Sequence, residues 1–498
     1  MAGTTFNSHS FELLPSEGVG FLRLGLTLYR AMNLLKQNNL HNDLRFIYSS
    51  NSDVIILQLI NYNLNLIFDS SSQKLIIIEI NLNNRNKAYG VKYIYKGEII
   101  NNFEFKSIYN RVFGPTYPGL LNEKTHNYYL SYIGIAFKFD NVIIKNAKNH
   151  KTDDLIRILT NSKDDFNCSA ITIFKGDSWN ESSNKIIDLL NLPKFNDKIV
   201  GFANEYSINY KSLKLNNYPF QKNNFIQIQS ANLDLTCDSY QLSYTINSSS
   251  PVLNHFNISF GKTTMQEIVQ TFGTPQESII KCKECNQNNT DKRKQFYRIH
   301  NYFSLGFDIT YKLSNGNRNG SNVVNKLTIH NNIPNSLEFQ KYERLPFILK
   351  PWNISNDKQD PSSLDSYEDQ GESIQIEDGL KIPIISSNTP FEALKLILPF
   401  NDKNMPIFLN RKEYEMNSNS NNVNNPFEVI DYEDDDDDDD RESPVKDNDS
   451  VSSSSDNDIS VDEDEEFKNW GLSKLFGYKN CVFEVLIDGG LISSLTLF

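Results

Sequence analysis

The chain has 498 residues, 39% apolar and 22% charged, with 32 Phe and 24 Tyr, which is enough for two to four domains with real cores. Its net charge of −13 sits in one place: residues 431–466 carry 19 acidic side chains against Arg441 and Lys446, a local −17, so the rest of the chain is +4. That near-neutral remainder argues against a basic nucleic-acid-binding face, and apolar runs such as Val54-Ile55-Ile56-Leu57 break off far short of the roughly 18 positions a membrane helix needs.

The first predicted elements lie between Phe21 and Ile80. Leu28, Met32 and Leu35 recur at helical spacing, and Thr27 is placed to cap that helix. Strand-like runs follow at 54–59, 64–68 and 75–80, the last two joined as a hairpin through Asp69-Ser70-Ser71-Ser72-Gln73. From Phe105 a second helix presents Ile108, Val112 and Phe113, and strands are predicted at 128–132 and 135–139. Residues 146–256 are mainly strand-like, as at 171–174, 225–228 and 240–244, and are expected to complete the sheet.

A third helix carries Met265, Ile268, Val269 and Phe272, opened by a Thr264/Glu267 capping box and closed by Gly273 before Pro275. Strands are predicted at 302–311 and 326–330. Residues 351–379 are polar and acidic and read as a linker. Thr389-Pro390 predicts an N-cap and first-turn pair for a helix bearing Phe391, Leu394 and Leu398, stopped by Pro399. The chain ends in a hairpin, 481–487 and 491–498, turned by Asp488-Gly489-Gly490.

The order of strand, helix and antiparallel meander recurs, since a short helix and a three-stranded meander each have one apolar face to bury on the other. The fold class expected is α+β, made of repeated helix-plus-meander units with added central strands. The bland alternative is coincidence in a large α+β chain. The division expected is two units over 10–145, a β segment over 146–256, a third unit over 257–350, a linker over 351–379, and a fourth over 380–498. The stretch 416–466 has too little apolar surface to order itself and is expected to loop out of the fourth unit as a disordered acidic insertion.

Candidate chemistry is sparse. The five cysteines, Cys168, Cys237, Cys282, Cys285 and Cys481, are scattered and odd in number, which suits a reducing compartment. The N-terminus lacks signal-peptide character, and neither a myristoylation glycine nor a prenylation cysteine is present. Cys282-x-x-Cys285, within a charged stretch read as a loop, has no second ligand pair for zinc. None of the seven histidines forms an HExxH or HxH pair, and nucleophile-elbow, phosphate-loop and dinucleotide motifs are missing. Asp53, Asp69 and Asp308 read as turn or strand-end residues. No catalytic, metal or cofactor site is assigned. Ser453, Ser455 and Ser460 each precede an acidic residue by three positions, and Ser443 precedes a proline, which makes all four candidate phosphorylation sites; the plainer reading of the acidic run is a solvated spacer. Asn425-Pro426-Phe427 could serve as a short endocytic-adaptor ligand, though such tripeptides recur by chance.

Several stretches resemble the phagosome assembly factor 1 family. They are Phe113-Gly114-Pro115-Thr116-Tyr117-Pro118-Gly119 with the strand Ile135–Phe139, the run from Ile258 through Phe272-Gly273-Thr274-Pro275, residues 301–309 with 326–331, and the ending 482–498. The likeness runs in order from about residue 10 to the end; the acidic insert and long Asn-rich loops depart from it. The resemblance implies a non-catalytic cytoplasmic factor in autophagy. It implies a complex with a WD-repeat β-propeller protein of the microtubule-associated cell migration factor type, gathered at the phagophore assembly site and associated indirectly with phosphoinositide-bearing membranes. An alternative implied by older descriptions of the family is traffic from the trans-Golgi network to endosomes with direct membrane or cargo binding.

Overall fold

In chain order the described strands fall into four sets, each containing a short helix. The first set is β1 (Ser10–Leu14), β2 (Gly18–Val19) and β3 (Leu22–Arg23), then α1 (Leu28–Gln37), then β4 (Leu44–Tyr48), β5 (Val54–Leu59), β6 (Leu64–Asp69) and β7 (Leu75–Asn81). The second is β8 (Lys92–Tyr95) and β9 (Glu98–Ile99), then α2 (an α-turn Phe105–Ser107 running into a π-turn Ile108–Val112), then β10 (Leu120–Asn122), β11 (Asn127–Tyr132), β12 (Ile135–Phe139) and β13 (Cys168–Ile173). The third is β14 (Ile226–Asp234), β15 (Ser239–Ile246) and β16 (Leu253–Ile258), then α3 (Met265–Phe272), then β17 (Glu277–Gln287), β18 (Asp291–Tyr302), β19 (Phe307–Lys312) and β20 (Val323–His330). The fourth is β21 (Phe347–Lys350), β22 (Ile374–Glu377), β23 (Leu380–Pro383) and β24 (Ile385–Ser386), then α4 (Phe391–Ile397), then β25 (Ile407–Asn410), β26 (Leu472–Tyr478), β27 (Cys481–Leu486) and β28 (Ile492–Leu497).

This computed structural model describes residues 10–182, 226–350, 374–410 and 472–498, apart from 41–43, 49–53, 84–90, 117–118, 123–125, 141–155, 157–158, 162–164, 236–238, 247–251, 288–290, 314–321, 378–379, 384, 399–405 and 488. The architecture is mostly β, with few helices. Two eight-stranded sheets have the orders β10-β11-β12-β13-β7-β6-β5-β4 and β17-β18-β19-β20-β28-β27-β26-β25. Two five-stranded sheets, β3-β2-β1-β8-β9 and β16-β15-β14-β21-β24, each contain one parallel pair, β1 with β8 and β14 with β21. Each of α1, α2, α3 and α4 precedes four antiparallel strands, not the three expected. Strands from 146–256 divide between sheets: β13 lies between β12 and β7, whereas β14, β15 and β16 form part of the second five-stranded sheet. The pair β22–β23 begins inside the stretch read as a linker.

The helices sit where their sequences place them. Thr27 accepts from Arg30 N at the start of α1, which buries Leu28, Ala31, Met32 and Leu35. In α3 the capping box is complete: Thr264 Oγ1 accepts from Glu267 N, and Glu267 Oε2 accepts from Thr264 N at 2.7 Å. Gly273 then turns the chain at φ +81°, a region that disfavours other residues. At α4 the expected cap fails. Thr389 Oγ1 accepts from Ser386 N at 2.9 Å instead, and Pro390 occupies the capping position without a side-chain bond. In α2 the wide turn is closed by Phe113 N bonding to Ile108 O at 3.0 Å. The run 302–311 is no single strand. It turns at 303–306, where Gly306 has φ +82°.

Backbone bonds tie each helix start to its fourth strand: Leu75 N to Leu26 O, Cys168 N to Phe103 O, Val324 N to Thr263 O, and Phe391 N to Gly490 O, the last just before β28. One core joins α1, α2, the first five-stranded sheet and the facing side of the first eight-stranded sheet, across the row Phe46, Leu57, Leu66, Ile78, Ile173 and Ile135. A second core does the same in the C-terminal half, where Tyr302, Phe307, Ile329, Leu495 and Phe483 stand in register.

Candidate functional site

Between β20 and β21 the chain runs without regular structure from Asn331 to Pro346 and is largely buried. This strap joins the two halves. Gln73, in the β6–β7 turn, donates to Asn332 O at 2.7 Å and accepts from Asn332 Nδ2 at 2.9 Å. Arg30 on α1 pairs with Glu343 at 3.2 Å, and Phe339 packs edge-on against Phe46 of β4. Gln73, Asn332, Asn335 and Gln340 all have positive φ. For residues other than glycine that conformation persists only where surroundings over-determine it, as the paired amides of Gln73 and Asn332 do here.

The strap also covers the outer face of the C-terminal eight-stranded sheet. His330, at the end of β20, lies between two carboxylates: Nε2 is 2.9 Å from Asp308 Oδ2 of β19, and Nδ1 is 2.8 Å from Glu338 Oε2, an ion-pair contact off the ring N–H direction. The Tyr342 ring stacks on the imidazole at 3.7 Å between centroids, and its hydroxyl donates to Asp308 Oδ2 at 2.9 Å. Burial alone would press the His330 pKa down. Glu338 and Asp308 outweigh it and hold the pKa up at about 9, so the ring is a cation at neutral pH.

A second buried carboxylate follows. His330 is in register with Ser494, which is in register with Glu484. Ser494 Oγ and Ser473 Oγ each donate to Glu484 at 2.8 Å. Arg344 is enclosed too, with Nη1 donating to Asn331 O at 3.1 Å and Nη2 to Asn388 Oδ1; burial lowers its pKa to about 10. Glu343 is raised by burial, opposed by Arg30.

The arrangement can fix the strap, and the space it encloses is small. His330, Asn332, Ser336, Glu338, Glu484 and Ser493 line a cavity of about 10 Å³, room for one water and far below the roughly 300–1,000 Å³ of small-molecule sites. Among the described residues no group of three or more His, Cys, Asp or Glu is placed to bind a metal, and no helix is long and apolar enough to cross a membrane.

The sequence expectations meet this picture unevenly. Ser443, Ser453, Ser455, Ser460, Asn425-Pro426-Phe427, Asp53 and Cys237 lie outside the described residues. Cys282 and Cys285 are not in a loop but on β17, in register with Phe296 and Arg293 of β18. Cys168 and Cys481 are buried, their thiols donating to Ala170 O and Tyr478 O, and burial pushes the Cys481 thiol up to about 12. Asp69 is a turn residue, accepting from Ser72 N at 2.7 Å. Asp308 is more than a strand residue, because it anchors both His330 and Tyr342. Pairing the runs around Asp308 and His330 in antiparallel register was the one sequence signal that could have brought them together. Glu338 and Tyr342 belong to no periodic pattern and gave none.

Fold and site together define a mostly β protein of two similarly ordered halves, joined by a buried polar strap. The chain belongs to the phagosome assembly factor 1 family, whose sequence profile matches residues 18–498. A curated PHAF1 protein of Arabidopsis thaliana is 26% identical over 144 residues, 28% of this chain and 34% of that protein, so the match spans about a third of the relative's length. No solved structure matches the chain.

Proposed function

We propose that the protein is a non-catalytic adaptor in autophagy that acts in a complex with a WD-repeat propeller protein at the phagophore assembly site. Membership of the family over nearly the whole chain carries this reading. The enclosure of the His330 cluster adds to it. A cation pinned between two carboxylates, over a cavity for one water, is poorly suited to proton transfer with a substrate. The test is recovery of tagged protein from cells under native conditions. A WD-repeat protein recovered near equal stoichiometry is the expected result, and its absence would refute the reading.

The four helix-and-strand sets are proposed to be copies of one ancestral unit, given the same strand order and, in the first three, the same bond from the fourth strand to the carbonyl just before the helix. Ser443, Ser453, Ser455 and Ser460 are proposed as phosphorylation sites in the acidic segment, to be checked by phosphopeptide mass spectrometry. The trafficking alternative, in which the protein itself binds membrane, finds little support in a chain that is near neutral outside 431–466. Flotation of the purified protein with phosphoinositide vesicles, with and without the propeller partner, separates the two. The adaptor reading expects flotation only with the partner.

A further inference from the structure

β17 ends the C-terminal eight-stranded sheet, and among the described residues no strand pairs with its outer side. It is a long edge of 11 residues, and its ladder with β18 continues to Gln287 and Asp291, whereas β19 pairs with β18 only from Tyr297 to Tyr302. The two strands therefore run past the sheet as a ribbon. Ser278, Ile279, Ile280 and Lys281 are exposed in succession, so neither face of the strand is covered there. Ile280 is 56% exposed, Ile279 37% and Phe296, across the ribbon, 38%. A long edge with bare isoleucines is what folded proteins usually blunt or cover.

We propose that β17 is a docking edge for an extended acidic segment of a partner protein, which joins the sheet as a ninth strand. Charge selects this occupant. By sequence, residues 277–302 hold six basic side chains, Lys281, Lys283, Lys292, Arg293, Lys294 and Arg298, against Glu277, Glu284 and Asp291. This ribbon thus carries +3 of the +4 found outside the acidic segment. Lysines on an edge repel neutral or basic strands and guard against aggregation, but they favour an acidic strand, so the same residues serve exclusion and choice. A second copy of the chain would bring a second positive ribbon to the contact, which disfavours self-pairing. In strand addition the backbone supplies the hydrogen bonds and alternate side chains the specificity. β-Branched residues at alternate positions of the incoming strand would meet Ile280, and acidic ones would meet Lys281.

The inference rests on the adaptor reading only in requiring a partner, and its test uses no WD-repeat protein, so the two can fail separately. The probe is a short synthetic peptide alternating Glu or Asp with Val or Ile, titrated by fluorescence anisotropy into the full chain. Micromolar binding is expected. It should weaken about tenfold in Lys281→Glu and again in Ile280→Asp, both at exposed positions, and also when Ser and Thr replace the acidic residues of the peptide. Hydrogen exchange at the β17 amides should slow on binding, which charge attraction alone would not produce. Four results would overturn the proposal: no binding, binding indifferent to both substitutions, a dimer in solution that Ile280→Asp dissolves, or binding seen only after deletion of 428–466, which would make this chain's own acidic segment the occupant.

Discussion

The two eight-stranded sheets share a strand order, yet their outer faces, turned away from the helices, are built on opposite principles. In the N-terminal sheet Ile47, Ile56, Ile67 and Ile77 stand in register across β4, β5, β6 and β7, all buried, with Trp179 packed against the group. In the C-terminal sheet the corresponding side carries Glu277, Asn301, Asp308, Thr328 and Thr496 in one row and His330, Ser494 and Glu484 in another. The isoleucine row gains from area removed from water and tolerates approximate geometry. The polar row gains only if each group finds a partner, because a charge buried alone is expensive. One topology thus accepts either solution, provided the polar one brings its own cover, which here is the strap.

Removing the last hairpin should do the greatest damage. β28 pairs with β20 in the middle of the C-terminal sheet, so deleting 481–498 would cut that sheet in two and strip the α4 side chains Phe391 and Leu394 of their core. Insoluble or largely unfolded protein is expected, and a soluble protein with an unchanged thermal melt would break the picture of a continuous sheet.

Among single changes on the apolar face, Ile67→Ala in the middle of the isoleucine row should be severe. Its cost should be about 2–4 kcal/mol in a urea titration, with no dependence on pH between 6 and 9. A change below about 0.5 kcal/mol would mean that this face is not packed.

How far the sequence discloses the two faces follows from the same contrast. Val54-Ile55-Ile56-Leu57 and Leu75-Ile76-Ile77-Ile78 are unbroken apolar runs, as strands buried on both sides should be, and the strands there match their predicted bounds within a residue. Phe307 to Lys312 alternates apolar and polar, which reads as one buried and one solvated face. The buried face is as expected, but Asp308 is covered by Tyr342 and paired with His330. Alternation reports polarity, not exposure, and a polar face can be buried if a distant segment satisfies it. The helices α1 and α3 were legible because caps and stripes are local. Thr389 misled because the same hydroxyl could close the turn at Ser386 instead. The strap was illegible, since its contacts reach Gln73 and Arg30 more than 250 residues away.

Smaller effects sharpen the local part of the argument. Thr264→Ala removes one side of the capping box and should cost about 1 kcal/mol; a neutral result would show that tertiary contacts alone hold α3. Deleting 428–466 should change least. The chain leaves β25 at Asn410 and re-enters β26 at Leu472, which are paired residues, so a shorter connection closes the same hairpin. Loop closure changes by only about 0.6 kcal/mol per doubling of length. The melting temperature should stay within a few degrees, and a larger fall would mean that the acidic segment supports the fold.

The most direct test of the account concerns His330. Its folded pKa of about 9 lies above the unfolded value of 6.5. The stability it confers is therefore complete below about pH 6.5 and is lost as pH rises through 9, a decline of roughly 3 kcal/mol. His330→Gln should cost about 3 kcal/mol at pH 6.5, because Asp308 and Glu338, both partly buried, are left without their cation. The gap between the two proteins in urea titrations should then narrow steadily toward pH 9.5. A gap that is small at pH 6.5, or that stays constant across the range, would contradict the claim that a buried charge network holds the strap to the C-terminal sheet.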